Sequence, residues 1–328
     1  MNVWLRTLPR SIPGNYEITC GLVPRGFNLS PWAPSMANVG FAVGTGRCGT
    51  KFLATVLAAD PAIASHHERH AFSDTFHRFC TWYQIPVDDA GFIAAKRRAI
   101  EADLSARSYS FEASAFLALS LAALHEHLDA KIVLMVRSPE KVVASYLRKG
   151  WFENDPILDD PALPPTMQDV AMPHHFLGRT MPVGDEFVRW RQLTRVGKIA
   201  WFWGRLNAEL LNQAKRLPRE ATRLQKLETL DFAAFCELRN FLGAPENVTK
   251  SKFEHVRKSR PNASRGAHTL LHWTVRERHE FEAEVRYTAE ALDYPWSVEE
   301  LTPELRAPSG GRTKRWWNLR GEAAMRDV

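Results

Sequence analysis

Apolar residues recur along this chain in two alternating rhythms, short runs and helical stripes. Val39, Phe41, Ala42 and Val43 form a short run, and Phe52, Leu53, Val56 and Leu57 then repeat at helical spacing. Ala62 to Ser65 is a second short run. From Asp74 to Ala106 the pattern is helical, with breaks expected around Pro86 and Gly91. Phe72, Phe76, Phe79, Trp82 and Tyr83 recur near helical spacing and are read as core. A short strand is expected at Tyr109 to Glu112 and a helix at Phe116 to Leu128. Lys131 to Val136 then places five apolar residues in succession, as a central parallel strand requires. A helix follows from Pro139 or Glu140, proline being tolerated in a first turn. Trp190, Trp201, Phe202, Trp203, Leu206 and Leu210 predict one long buried helix over Trp190 to Leu211. Strands alternating with helices predict an α/β fold: a parallel sheet of the P-loop type, flanked by helices in three layers, as a single domain.

The junction between the first run and the first stripe reads Gly44-Thr45-Gly46-Arg47-Cys48-Gly49-Thr50-Lys51. Glycines admit turn geometries that a side chain forbids. The helix that follows aims unpaired N–H groups and the positive end of its dipole into the turn, which is a seat for phosphate or sulfate. The spacing Gly44 to Gly49 fits the nucleotide triphosphatase loop, but Thr50 and Lys51 stand in reverse order, and Arg47 adds a cation inside the loop. A plain strand-turn-helix is the bland alternative.

Two strand ends carry further chemistry. The second run leads into His66-His67-Glu68-Arg69-His70. His67-Glu68-Arg69-His70 has one residue too few between Glu and the last His for a helical zinc signature. His66 and His70 stand four apart with no third ligand marked, so no metal site is expected. Glu68, or a histidine, then suits a general base, with a solvated salt-bridged turn as the alternative. The central strand ends in Arg137-Ser138-Pro139, where a magnesium-dependent triphosphatase would want aspartate. Arginine beside a helix start suits a grip on a second phosphate, and Ser145, eight residues on, adds a hydroxyl about two turns away.

Composition narrows the setting. At 328 residues the chain suits one large domain with appendages, or two small domains. A net charge of +6 fits an acidic ligand. A contiguous basic, aromatic footprint for nucleic acid appears only at Arg312 to Trp317, so nucleic acid is not the expected partner. Four cysteines (Cys20, Cys48, Cys80, Cys236) without a C-x-x-C pair favour a reducing compartment. No apolar run approaches the ~20 residues of a membrane span, and the first residues lack a signal-peptide core, so a cytoplasmic enzyme is expected. Residues 1–37 hold five prolines and read as an irregular arm. Residues 38–306 are the domain, with 150–184, rich in proline and acid, as a lid or acceptor-binding loop. Residues 307–328 form a basic, aromatic tail.

Together the glycine turn and the strand-Arg-x-Pro-helix-Ser segment resemble the sulfotransferases that use 3′-phosphoadenosine 5′-phosphosulfate. GTGRCGTKFL is similar to the 5′-phosphosulfate loop of carbohydrate and tyrosylprotein members, and VRSPEKVVASY to the 3′-phosphate segment. Phe111-Glu112-Ala113-Ser114 and the stretch from Thr222 to Gly243 resemble the family's short acidic-Ser segment and its late strand, acidic turn and FLG helix. The resemblance implies that Gly44, Gly46, Arg47, Cys48, Gly49, Thr50 and Lys51 hold the 5′-phosphosulfate, and that Arg137 and Ser145 hold the 3′-phosphate. Arg257, Lys258, Arg265 and Gly266 are candidates to close over the nucleotide, and Trp201 and Trp203 to stack on adenine. It implies metal-independent sulfuryl transfer to an acceptor hydroxyl or amine, leaving adenosine 3′,5′-bisphosphate. Glu68 is then the base, His67 the second choice, and Arg47 offsets charge on the leaving phosphate. Glycan, lipid, peptide and small alcohol acceptors are all open. The rival expectation is a magnesium-dependent P-loop kinase or NTPase.

Overall fold

A computed structural model describes residues 38–154, 160, 162–165, 173–259 and 270–302. The chain runs β1 Val39–Gly44, α1 Thr50–Leu57, β2 Ile63–His67, α2 Ala71–Trp82, α3 Asp89–Leu104, β3 Tyr109–Ala113, α4 Leu121–Leu128, β4 Lys131–Val136 and α5 Pro139–Leu147. After these come α6 Pro173–Leu177, α7 Asp185–Arg191, α8 Arg195–Ala214, β5 Thr222–Lys226, α9 Phe232–Leu242, α10 Lys250–Ser259, α11 Val275–Ala291 and α12 Val298–Leu301.

The five strands form one parallel sheet in the order β2-β3-β1-β4-β5. Alternation along the strands splits the core in two. Val39, Phe41 and Val43 of β1, with Ile132, Leu134 and Val136 of β4, face the side covered by α4, α5, α8 and α11. Ala42, Val133 and Met135 face the other side, with α1, α9 and α10. Both faces are therefore covered, which is why β1 and β4 read as near-continuous apolar runs. This is the expected three-layer α/β architecture.

Local differences have local causes. Gly91 does not break a helix: it lies in the first turn of α3, where the Asp88 side chain accepts its N–H at 2.8 Å, and the break falls before it. Phe72 and Phe76 are not core; they are 57% and 47% exposed on α2. Phe116 belongs to a 3-10 turn over Ala115–Leu117, started by the Ser114 hydroxyl, and α4 begins only at Leu121. The long helix expected from Trp190 is two. Thr194 caps α8 by accepting from the Gly197 N–H, and the Glu280 carboxylate accepts from both the Thr194 N–H (2.7 Å) and its hydroxyl. Trp201 and Trp203 are buried in α8, and their ring N–H groups donate to Glu186 and to the Arg137 carbonyl. Neither ring is open to stack on adenine. Residues 1–37 (with Cys20), Arg265, Gly266, the tail over 307–328 and, within the 150–184 segment, residues 155–159, 161 and 166–172 lie outside the described residues.

Candidate functional site

Sequence order changes direction at β1: β3 lies on one side and β4 on the other, so the carboxyl end of β1 opens at the switch point of the sheet. The glycine turn sits there. Gly46 and Gly49 take φ of 83° and 100°, and Arg47 joins them at 57°, a left-handed conformation unusual for a residue with a Cβ. A Cβ on Gly46 would meet the Tyr146 hydroxyl at 2.3 Å; that hydroxyl donates to the Thr45 carbonyl at 2.6 Å and pins the turn from α5. Helix α1 starts at Thr50 with no side-chain cap and no acid in its first turn, so its N–H groups stay available for an anion. Lys51 is exposed at that end. Cys48 contributes only its backbone: its thiol is fully buried under the turn, and burial pushes it up to about 11.

The two stretches read separately in the sequence are joined here. Arg47 Nε donates to Ser145 Oγ at 2.7 Å, and Arg137 Nη1 donates to the Arg47 carbonyl at 3.1 Å. Arg137 is held by its own carbonyl, which accepts from Trp203. The start of α5 is not an open anion seat, however. The Glu228 carboxylate, just after β5, accepts from the Ser138 N–H at 3.1 Å and from its hydroxyl at 2.9 Å, and Tyr294 donates to it as well. A second phosphate would therefore meet Arg137 and Ser145 from the side of the glycine turn. Arg257 is exposed on α10, where it pairs with Glu254. Among the described contacts nothing joins it to the turn.

Across the turn, β2 delivers the base candidates. Thr50 Oγ1 and His67 Nε2 lie 3.4 Å apart, and His67 Nδ1 stands 3.8 Å from a Glu68 oxygen. Burial, then the nearby Lys51 charge, lowers the His67 ring to about 4, so it is neutral at physiological pH. Glu68 has φ of 53° and donates its N–H to the Ala113 carbonyl, which fixes the strand end. Burial raises its carboxyl above the ordinary range, and Arg78, then Lys51 and Arg47, pull it back. His66 and His70, four apart in sequence, do not share a helix: His66 lies in β2, bonded to Asp103 at 3.1 Å, and His70 precedes α2. Among the described residues no group of His, Cys, Asp or Glu is arranged to hold a metal ion.

Three features are not marked by any motif. Arg78 of α2 is 1% exposed and donates to the carbonyls of Ala115 (3.0 Å) and Gly178 (2.5 Å). Lys96 of α3, also 1% exposed, bridges Asp74 (2.7 Å) and Glu112 (2.9 Å), which ties α2, α3 and β3 together. The Tyr146 pin is the third, and only its place beside Ser145 could have pointed to it.

Known protein families and curated proteins give no match to this chain. Solved structures do. Sulfotransferase STF9 from Mycobacterium avium is similar at 12% identity with a TM-score of 0.50, over 79% of this chain and 78% of that one. The sulfotransferase domain of the Synechococcus PCC 7002 olefin synthase is 13% identical with a TM-score of 0.39, covering 78% of this chain and 94% of that one. A sulfotransferase domain from the curacin biosynthetic pathway is 14% identical with a TM-score of 0.39, covering 82% and 96%. At such identities the first of these speaks to the fold, which is that of a sulfotransferase.

Proposed function

We propose that this protein moves a sulfuryl group from 3′-phosphoadenosine 5′-phosphosulfate to an acceptor hydroxyl or amine. The observation that carries the reading is the interlock of Arg47, Ser145 and Arg137 beside an uncapped glycine turn, since two arginines and a hydroxyl, groups suited to anions, stand together beyond the carboxyl ends of β1 and β4. The residues fit the donor. The N–H groups of the turn and Lys51 suit the 5′-phosphosulfate, and Arg137 with Ser145 suits the 3′-phosphate. The likeness to carbohydrate and tyrosylprotein sulfotransferases in the turn, and to STF9 in the fold, supports it further.

The donor supplies an activated sulfuryl group. The chain's part is to line up the acceptor behind sulfur, take its proton and neutralise the leaving phosphate. Glu68 receives the proton as the acceptor O–S bond forms and the S–O bond to the 5′-phosphate breaks, leaving adenosine 3′,5′-bisphosphate. A carboxyl raised by burial is matched to that task near neutral pH. Arg47 offsets the charge on the leaving oxygen, a contribution of about 3 kcal/mol for a preorganised contact. A magnesium-dependent kinase is the weaker reading, because arginine rather than aspartate follows β4 and Glu112, next to the end of β3, is committed to Lys96.

Thermal shift separates the two. Adenosine 3′,5′-bisphosphate at about 100-fold over its Kd should stabilise the protein by about 2.7 kcal/mol with no magnesium present. Stabilisation by ATP with magnesium alone overturns the reading in favour of a kinase or NTPase.

A further inference from the structure

Arg78 is a buried cation whose described partners are two main-chain carbonyls rather than a carboxylate. Its guanidinium carbon lies 5.4 Å from the centre of the Phe116 ring, and its Nε has no hydrogen-bond partner. Burying a guanidinium this way costs several kcal/mol, so its retention calls for a compensating anion. The Glu68 N–H donates to the Ala113 carbonyl at 3.0 Å and Arg78 to the Ala115 carbonyl at 3.0 Å, so the two residues are anchored two positions apart at the end of β3. Of the ionisable groups whose charge acts on Arg78 (Tyr146, Glu68 and Tyr83), only Glu68 ionises near neutral pH. Burial brings Arg78 down to about 10, so it remains charged.

From the other side, Glu68 faces Arg78 of α2, Lys51 of α1, Arg47 of the turn, Glu112 of β3 and His67 of β2. Three of these are cations, but two of them sit where an anionic donor would be held. Once Lys51 and Arg47 are paired with phosphosulfate, their help to a neighbouring carboxylate is largely cancelled. Arg78 is 1% exposed, and its hydrogen bonds go to Ala115 and Gly178 rather than to the turn.

We propose that Arg78 is the positioning charge that keeps Glu68 ionised, and so able to take the acceptor's proton, while the donor occupies the glycine turn. This rests on the sulfotransferase reading. The same guanidinium also ties Ala115, just after β3, to Gly178, just after α6, and a purely structural role would end there.

The pH profile tells the two apart. With donor saturating, the acid limb of kcat/KM for the acceptor should move up by about one pH unit in R78M, giving about tenfold less activity at pH 6 with convergence towards pH 9. R78K, which keeps the charge, should stay near wild type. A folded R78M whose profile superposes on wild type, or falls equally at every pH, overturns the role. If R78M does not fold, the wild-type protein decides. The Glu68 carboxyl, followed by carbon NMR and assigned by its loss in E68Q, should be ionised at pH 7.5 with adenosine 3′,5′-bisphosphate bound. A protonated Glu68 there overturns the proposal. A wild type that neither binds this nucleotide nor transfers sulfuryl defeats the sulfotransferase reading itself, and the role of Arg78 with it. Normal binding and transfer with an unmoved R78M profile defeats Arg78 alone.

Discussion

Glu68 and His67 occupy the same strand end, yet burial pushes their titrations in opposite directions. Burial makes the charged form of each more costly, so the carboxyl rises towards neutrality and the imidazole falls away from it. Glu68→Gln should keep its affinity for adenosine 3′,5′-bisphosphate within about twofold by calorimetry and lose about 10²- to 10⁴-fold in turnover. Unchanged turnover would move the base to a histidine. His67 makes a second, thermodynamic prediction. In the unfolded chain it takes a proton near 6.5, in the folded protein only near 4. Between those values the unfolded state binds more protons, so stability falls as pH falls, by at most about 3 kcal/mol. Urea denaturation of His67→Gln should show that much less loss between pH 7 and pH 4 than wild type; parallel curves would refute it. None of this was legible in the residue types. The cluster was visible as a strand end with polar groups, but which member is buried, and next to which charge, depends on β3 and α2 packing beside it.

At the scale of elements, reading went best where one signal dominated. The apolar run Lys131 to Val136 is β4 with no change of boundary, and the glycine turn lies between β1 and α1 as expected. It failed where side-chain hydrogen bonds from distant segments set a boundary, as when Glu280 of α11 stops the helix before Thr194. Aromatic spacing misled at Phe72 and Phe76, because α2 turns only part of its surface inward. The Lys96 bridge shows how such contacts hold elements together. Replacing Lys96 with methionine strands two buried carboxylates, Asp74 and Glu112, and should cost about 3–5 kcal/mol near pH 8. Burial already raises the Asp74 carboxyl, so in the variant Asp74 should take up a proton as pH falls. The deficit against wild type, measured by urea denaturation, should therefore shrink at pH 5. An equal deficit at both pH values would show that the bridge is not electrostatic.

For the whole molecule, the order β2-β3-β1-β4-β5 explains why residues 47, 68, 137 and 145 meet at all. Each lies at or just beyond the carboxyl end of a strand, or two turns into the helix after one, and a parallel sheet brings those ends to one edge. The α/β class and the glycine turn were readable because they are local patterns repeated along the chain. The interlock of Arg47, Ser145 and Arg137 was readable only as two separate motifs, since its hydrogen bonds span about 90 residues of sequence. The Glu228 carboxylate against α5 was not readable, because β5 and β4 become neighbours only in the folded sheet.

The sealed thiol beneath the turn gives the molecule a clock. Cys48 is unreactive while the turn is closed, both because reagent cannot reach it and because almost none of it is thiolate. Its alkylation therefore reports how often the turn breathes open. With excess iodoacetamide, adduct at Cys48 should accumulate far more slowly than at partly exposed Cys236, and slower again when adenosine 3′,5′-bisphosphate is present. Peptide mass spectrometry over a time course reads both rates; equal labelling of the two cysteines would mean that the turn does not shield Cys48.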